Sequence, residues 1–209
     1  MAQYKLDIAF TNQQLENLYQ TNSSVIIAKP SEGNATPNVA WQSFKALGAN
    51  TLTWREEYGI YVSSTELTHG AQLDQLSNTE IGAIMDQVYT MNPSGVITGP
   101  ASGGVPNSFA LLNEYKNKPY MTAGLFQDAT VNGTEIIGNA TSAAPVLLAS
   151  TAVMTPYTTI YVWIQSQVVS NTVCTLVTSP MTEFKFGGGT NDIAIAYNSE
   201  TGLFYTPQS

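Results

Sequence analysis

Residue types able to do chemistry are few in this chain, and their spacing closes off most mechanisms before any element is assigned. His69 is the single histidine and Cys174 the single cysteine. His69 stands in Thr68-His69-Gly70, a turn signature. A Ser-His-Asp triad has to use it, yet the nucleophile elbow G-x-S-x-G is missing, since Gly99-Pro100-Ala101-Ser102-Gly103 has the wrong spacing. An exposed loop histidine is expected instead. Cys174, inside NTVCTLV, reads as a small buried thiol. With one cysteine there is no intramolecular disulfide, and zinc sites needing several His or Cys ligands are ruled out by number. Asp74, Asn78 and Glu80 lie close together but off the spacing of a calcium-binding EF-hand loop, and read as a polar turn. Gly187-Gly188-Gly189 is followed by Thr190-Asn191-Asp192, lacks the lysine of a phosphate-cradling loop, and reads as a flexible hairpin connection. The expectation is no metal, no cofactor and no catalytic residue.

Carboxylates and aromatic rings are what remain. A glycosidase needs only two carboxylates about 5 to 10 Å apart. Glu56 and Glu57 are adjacent, and neighbouring residues of a regular strand point to opposite faces, so they are not that pair. In TLTWREEYGIYV, Leu52, Trp54, Tyr58, Ile60 and Val62 share one parity while Thr51, Thr53, Arg55 and Glu57 share the other. Glu56 falls on the apolar side. A lone buried carboxylate is costly unless paired. Three readings are ordered accordingly: a strand end or a bulge near Gly59, then a structural hydrogen bond, then a ligand-binding carboxylate. In YTTIYVWIQSQ, Tyr157, Tyr161 and Trp163 lie on one parity and Ile160, Val162 and Ile164 on the other. The plain reading is a central strand with both faces covered; the sharper one is an aromatic platform for a sugar ring or lipid headgroup. Candidate ligand-binding residues are therefore Trp54, Glu56, Tyr58, Tyr157, Tyr161 and Trp163.

Composition bounds the partners. The chain has 209 residues, 43% hydrophobic, but only 11% are charged against a usual value of roughly 25%. Ser, Thr, Asn, Gln and Gly must cover its surface. The seven basic residues are scattered and the net charge is −8, which argues against nucleic acid and anionic lipid. The start MAQYKLDIAF carries no export signal and no stretch of about 18 apolar residues occurs, so a soluble protein is expected, cytoplasmic or released without a signal peptide. Four N-x-[ST] triplets begin at Asn22, Asn34, Asn132 and Asn139, and read as chance matches in an Asn- and Thr-rich chain.

The elements that must position these residues are mostly strands. Tyr4 to Phe10 alternates as a half-buried strand. Thr11 with Gln14 forms a capping box for one short helix near residues 12–20. Beyond it, strands are expected near 24–29, 38–46, 50–57, 59–64, 71–77, 86–91, 95–98, 108–113, 121–131, 134–138, 145–154, 157–169, 172–178, 181–186, 192–197 and 202–205. Asn132-Gly133 is the best hairpin signal, a type I′ turn. The expected fold is all-β, an antiparallel β-sandwich or alternatively a distorted barrel, as one domain over 1–209 with a Gly/Pro-rich loop at 99–106 between its halves.

Three functional expectations follow in order. The first is a non-enzymatic binding protein, lectin-like or toxin-like, recognising a neutral carbohydrate or membrane headgroup, with pore formation by the run Ala144 to Val169 as a sub-case. The second is a structural protein forming homo-oligomers through uncharged strand edges. A carboxylate-dependent hydrolase is third.

Overall fold

The computed structural model describes residues 2–31 and 36–208; Asn34, one of the four triplet asparagines, lies outside the described residues. Among the described residues the protein is mostly β, with one short helix and several sheets, none closed into a barrel. Helix α1 (Asn12–Gln20) forms as its sequence predicts: Thr11 Oγ1 accepts from the Gln14 N–H at 3.3 Å and Gln14 Oε1 accepts from the Thr11 N–H at 2.9 Å. Such a cap is worth about 1 kcal/mol, and it lets Leu18 turn into the core.

The largest sheet runs in the order β19 (Leu203–Tyr205), β18 (Asp192–Asn198), β1 (Gln3–Ala9), β5 (Ala49–Arg55), β11 (Tyr120–Val131), β6 (Gly59–Ser63) and β7 (Gln75–Asn78), with β12 (Thr134–Ala140) and β13 (Ala144–Leu147) also paired to β11. A second sheet orders β14 (Thr151–Met154), β10 (Phe109–Asn113), β8 (Gln87–Met91) and β9 (Ile97–Ser102). The third orders β17 (Thr182–Lys185), β15 (Thr159–Ser166), β2 (Ser23–Ala28) and β4 (Gln42–Phe44). A two-stranded piece joins β16 (Thr172–Val173) to β3 (Val39–Ala40).

The long strand β11 organises the molecule, because it changes partner along its length. Its start pairs with β6 and β13, and its end with β5 and β12. Ala129 and Val131 thereby enter a first core with Leu6, Ile8, Leu52 and Trp54 against Val25, Ile27, Ile160 and Val162 of the third sheet. Met121, Ala123 and Leu125 enter a second core against Tyr89, Met91, Phe109 and Leu111 of the second sheet.

Several expectations are corrected. The all-β sandwich stands, but its sheets are not purely antiparallel: β1 runs parallel to β18, and β8 parallel to β10. The expected loop at 99–106 is strand up to Ser102, because β9 pairs with β8 across a bulge that accommodates the Gly99-Pro100 step. The expected strand at 38–46 is split at Trp41, the one at 145–154 is broken at Ala149 (φ 61°), and of 172–178 only Thr172–Val173 remains. Of 71–77 the regular part begins at Gln75. Asn132 and Gly133 do turn the β11–β12 hairpin, with φ of 50° and 80°. The glycine triplet makes a tight turn closed between Gly187 and Thr190, and it connects strands of different sheets instead of a hairpin pair. The run Ala144–Val169 is divided among three sheets as β13, β14 and β15, so it forms no amphipathic hairpin here. Among the described residues, no helix is long and apolar enough to cross a membrane.

Candidate functional site

Strand β2 is a central strand, and Val25 and Ile27 point from it into the first core. The next residue of that parity is Lys29, one position past the strand end. An ammonium is thus carried where an aliphatic side chain would fit, and Lys29 is only 2% exposed. Its Nζ lies 5.2 Å from the ring centre of Trp41, 5.8 Å from Trp54 and 4.9 Å from Tyr58. Aromatic faces attract a cation at these distances, and a desolvated pair is worth about 2 kcal/mol. Lys29 Nζ donates to Tyr58 Oη at 2.9 Å, and Tyr58 Oη donates to Glu56 Oε1 at 2.7 Å. The result is a buried relay from ammonium through phenol to carboxylate.

Burial drives the Lys29 amine down to about 8, with the Glu56 carboxylate pulling the other way. Tyr58 is held well above its ordinary range, first by burial and then by the neighbouring Glu56 charge. Gln127 closes one side: its Nε2 donates to the Arg55 backbone carbonyl at 2.6 Å, and its backbone carbonyl accepts from Trp41 Nε1 at 3.0 Å. Trp54 Nε1, Glu56 Oε2 and Gln127 Oε1 are buried with no hydrogen-bond partner among the described residues.

The segment Thr53 to Tyr58 builds a second, open layer by simple alternation. Strand β5 stops at Arg55, and the Glu56 N–H bonds to the Ala2 carbonyl at 2.9 Å. Trp54, Glu56 and Tyr58 face the caged lysine, while Thr53, Arg55 and Glu57 line a cleft on the outer face of the large sheet. Register supplies the rest: Gln3 is opposite Arg55, Thr130 opposite Thr53, and Glu135 opposite Thr130. Asp128 sits at the bulge between Gln127 and Ala129, and its Oδ1 accepts from the Gly138 N–H at 2.8 Å. Bulges re-aim side chains in this way. The cleft measures about 410 Å³, with Ile81 at its apolar edge.

Of the residues singled out from sequence, Trp54, Glu56 and Tyr58 come together, and Tyr157 joins them through its carbonyl, 3.3 Å from Tyr58 Oη. Glu56 satisfies two of its three readings, standing at a strand end and in a structural hydrogen bond. Tyr161 and Trp163 lie elsewhere. Tyr161 is half-buried and donates to Glu183 Oε2 at 3.0 Å. Trp163 is 0% exposed, with its indole N–H on Gln165 Oε1 at 2.9 Å. The aromatic platform is therefore a covered strand face, packed against Ile26, Ala28 and Cys174. His69 is an exposed loop residue whose Nδ1 accepts from the Leu176 N–H, and Cys174 is buried, as their settings predict.

Lys29 and Trp41 were not among the sequence candidates, nor were Gln3, Thr53, Arg55, Glu57, Asp128, Thr130 and Glu135. The parity of Lys29 with Val25 and Ile27 was a usable signal, as was the polar half of the Thr51–Tyr58 alternation. Among the described residues, no group of three or more His, Cys, Asp or Glu side chains is placed to hold a metal ion. Comparison with known proteins finds no matching family model, no matching curated protein and no matching solved structure. The functional argument rests on the site itself.

Proposed function

We propose that this protein is a non-catalytic binding protein for a neutral, hydroxyl-rich ligand, a carbohydrate, held in the cleft on the outer face of the large sheet. The observation that carries this reading is the lining of the cleft: Thr53, Thr130 and Gln3 offer donors and acceptors together, while Glu57, Asp128 and Glu135 outnumber Arg55. Hydroxyl groups both give and accept hydrogen bonds, so a mixed lining suits them. The excess of acid works against an anionic headgroup or phosphate. The volume falls within the usual range of small-molecule sites, about 300–1,000 Å³.

An array of neutral glycans, followed by calorimetry on the best binder, tests the proposal. Binding is expected to fall at least ~10-fold in Arg55→Ala and in Thr53→Val, a loss of one or two hydrogen bonds. Silence across the array, or binding that ignores both variants, overturns it. The three carboxylates in one cleft also favour a second reading, hydrolysis of the bound glycan. Release of new reducing ends, abolished in Glu57→Gln or Glu135→Gln, would replace binding by catalysis.

A further inference from the structure

Past the end of β7 the chain turns back along the start of β6 and is tied there. The Thr79 N–H donates to the Ile60 carbonyl at 2.9 Å, and the Gly82 and Ala83 N–H groups both donate to the Tyr58 carbonyl, at 3.0 and 2.9 Å. The Ile84 N–H donates to Tyr89 Oη at 2.9 Å. The loop is thereby a fixed partition. On one side of it is the cleft of Thr53, Arg55 and Glu57; on the other is a second cleft of about 420 Å³, lined by Asn78, Glu80, Ile84, Tyr89 and Thr98 among others. Ile81 lines both, and it is 36% exposed, open to a ligand that passes from one to the other.

We infer that the ligand is a linear, neutral oligosaccharide, bound along its length from the first cleft over Ile81 into the second; the inference rests on the carbohydrate reading of the first cleft. Length is one argument. The first cleft crosses β1, β5, β11 and β12, three strand spacings of about 4.8 Å, or about 14 Å. A six-membered ring with bonds of about 1.5 Å is only about 3 Å across before its hydroxyls are added. A single sugar leaves most of that cleft unfilled and does not reach the second. Chemistry is the other argument. The Asn78 amide has two hydrogens, of which one goes to Gln75 Oε1 at 2.8 Å, and the Thr98 hydroxyl can accept a bond while giving its proton to the Thr90 carbonyl at 3.3 Å. Glu80 is the one charged side chain that lines the second cleft, so an anionic ligand finds no cation there and the same neutral, hydroxylated chemistry is selected on both sides of the partition. Ile81 and Ile84 give apolar contact to the C–H faces of the rings. Once one unit is held, the next binds intramolecularly at a high effective concentration, so a chain gains affinity from two open clefts where a single unit does not.

Calorimetric titration of the full chain with malto-, cello- and manno-oligosaccharides, each from the monosaccharide to the hexasaccharide, tests the inference. In a series that binds, affinity is expected to rise at least ~10-fold between the disaccharide and the hexasaccharide. Ile84→Asp and Thr98→Lys, both at exposed positions of the second cleft, should remove that gain while leaving disaccharide binding and the melting curve unchanged; two variants are used so that a folding defect in one does not decide the matter. Arg55→Ala, in the first cleft, should weaken short and long members alike. Equal affinity for disaccharide and hexasaccharide overturns the inference and leaves the carbohydrate reading in place, and so does a gain with length that ignores both second-cleft variants. Silence in all three series overturns the inference, and silence across the glycan array as well overturns the reading beneath it.

Discussion

Lys29 is the residue where physical cost is most concentrated. A buried ammonium loses its hydration, and cation–π contact with three rings plus one hydrogen bond to Tyr58 returns only part of it, which is why the amine is driven down to about 8. The sign of the pH dependence follows. Between about pH 8 and the ordinary lysine value, the unfolded chain holds a proton that the folded chain does not, so stability rises with pH. Tyr58 acts in the opposite direction: the fold keeps its proton beyond pH 10, where the unfolded phenol ionises, so stability falls again there. Urea denaturation should therefore show a gain of roughly 2 kcal/mol from pH 8 towards pH 10, followed by a decline. A flat or falling profile over pH 8–10 would contradict this account of the caged lysine. Lys29→Met, similar in length and uncharged, is expected to equal or exceed wild-type stability at pH 7 by about 1 kcal/mol and to lose the alkaline gain, because hydrophobic replacement of a buried ion is often neutral or stabilising. If the variant is destabilised by more than a few tenths of a kcal/mol, the relay contributes more than it costs.

At the scale of elements, the decisive strand is β11, and its glycine shows why. A Cβ on Gly124 would stand 1.9 Å from the Ser142 carbonyl oxygen and 2.7 Å from the Tyr61 ring. A Cβ on Gly133 would meet nothing within 4 Å, but its φ of 80° is a left-handed conformation that costs an alanine about 1 kcal/mol. Gly124→Ala should thus destabilise by about 3 kcal/mol or more, through steric overlap with backbone, and Gly133→Ala by only about 1 kcal/mol. Equal midpoints of denaturation for the two variants would show that the strand shifts to make room. The same strand marks the limit of what sequence reading reaches. Alternation located β1, β5 and β6, and the positive-φ preference of Asn132-Gly133 located the turn that ends β11, because both are local properties. The parallel pairing of β1 with β18, at the other end of the chain, is not local and left no pattern. Within Thr51–Tyr58 the apolar half of the alternation pointed to Trp54, Glu56 and Tyr58. The outer half became a site only through the lateral register of four strands and the bulge at Asp128, neither of which is encoded in a single segment.

For the whole molecule, the question is whether two cores make one cooperative unit. Strand β11 contributes Ala129 and Val131 to one core and Met121, Ala123 and Leu125 to the other, so neither can dissolve without freeing backbone that the other uses. The relay acts at the same seam: Tyr58 packs in the second core, while its hydroxyl holds the lysine that sits against Trp41 and Trp54 of the first. A single unfolding transition is therefore expected. The three tryptophans make this measurable, since Trp41 and Trp54 lie in the first core, Trp163 lies behind the third sheet, and the second core has none. Tryptophan fluorescence should report the first core, and amide exchange at Met91 and Leu111 the second, with coincident midpoints. Tyr58→Phe removes the hydroxyl that bridges ammonium and carboxylate, and should lower both midpoints together by about 2 to 3 kcal/mol, the cost of leaving buried polar partners unpaired. Midpoints that separate in wild type would mean two independently folding halves sharing a strand; midpoints that separate only in Tyr58→Phe would assign the coupling to the relay itself, with β11 serving as its scaffold.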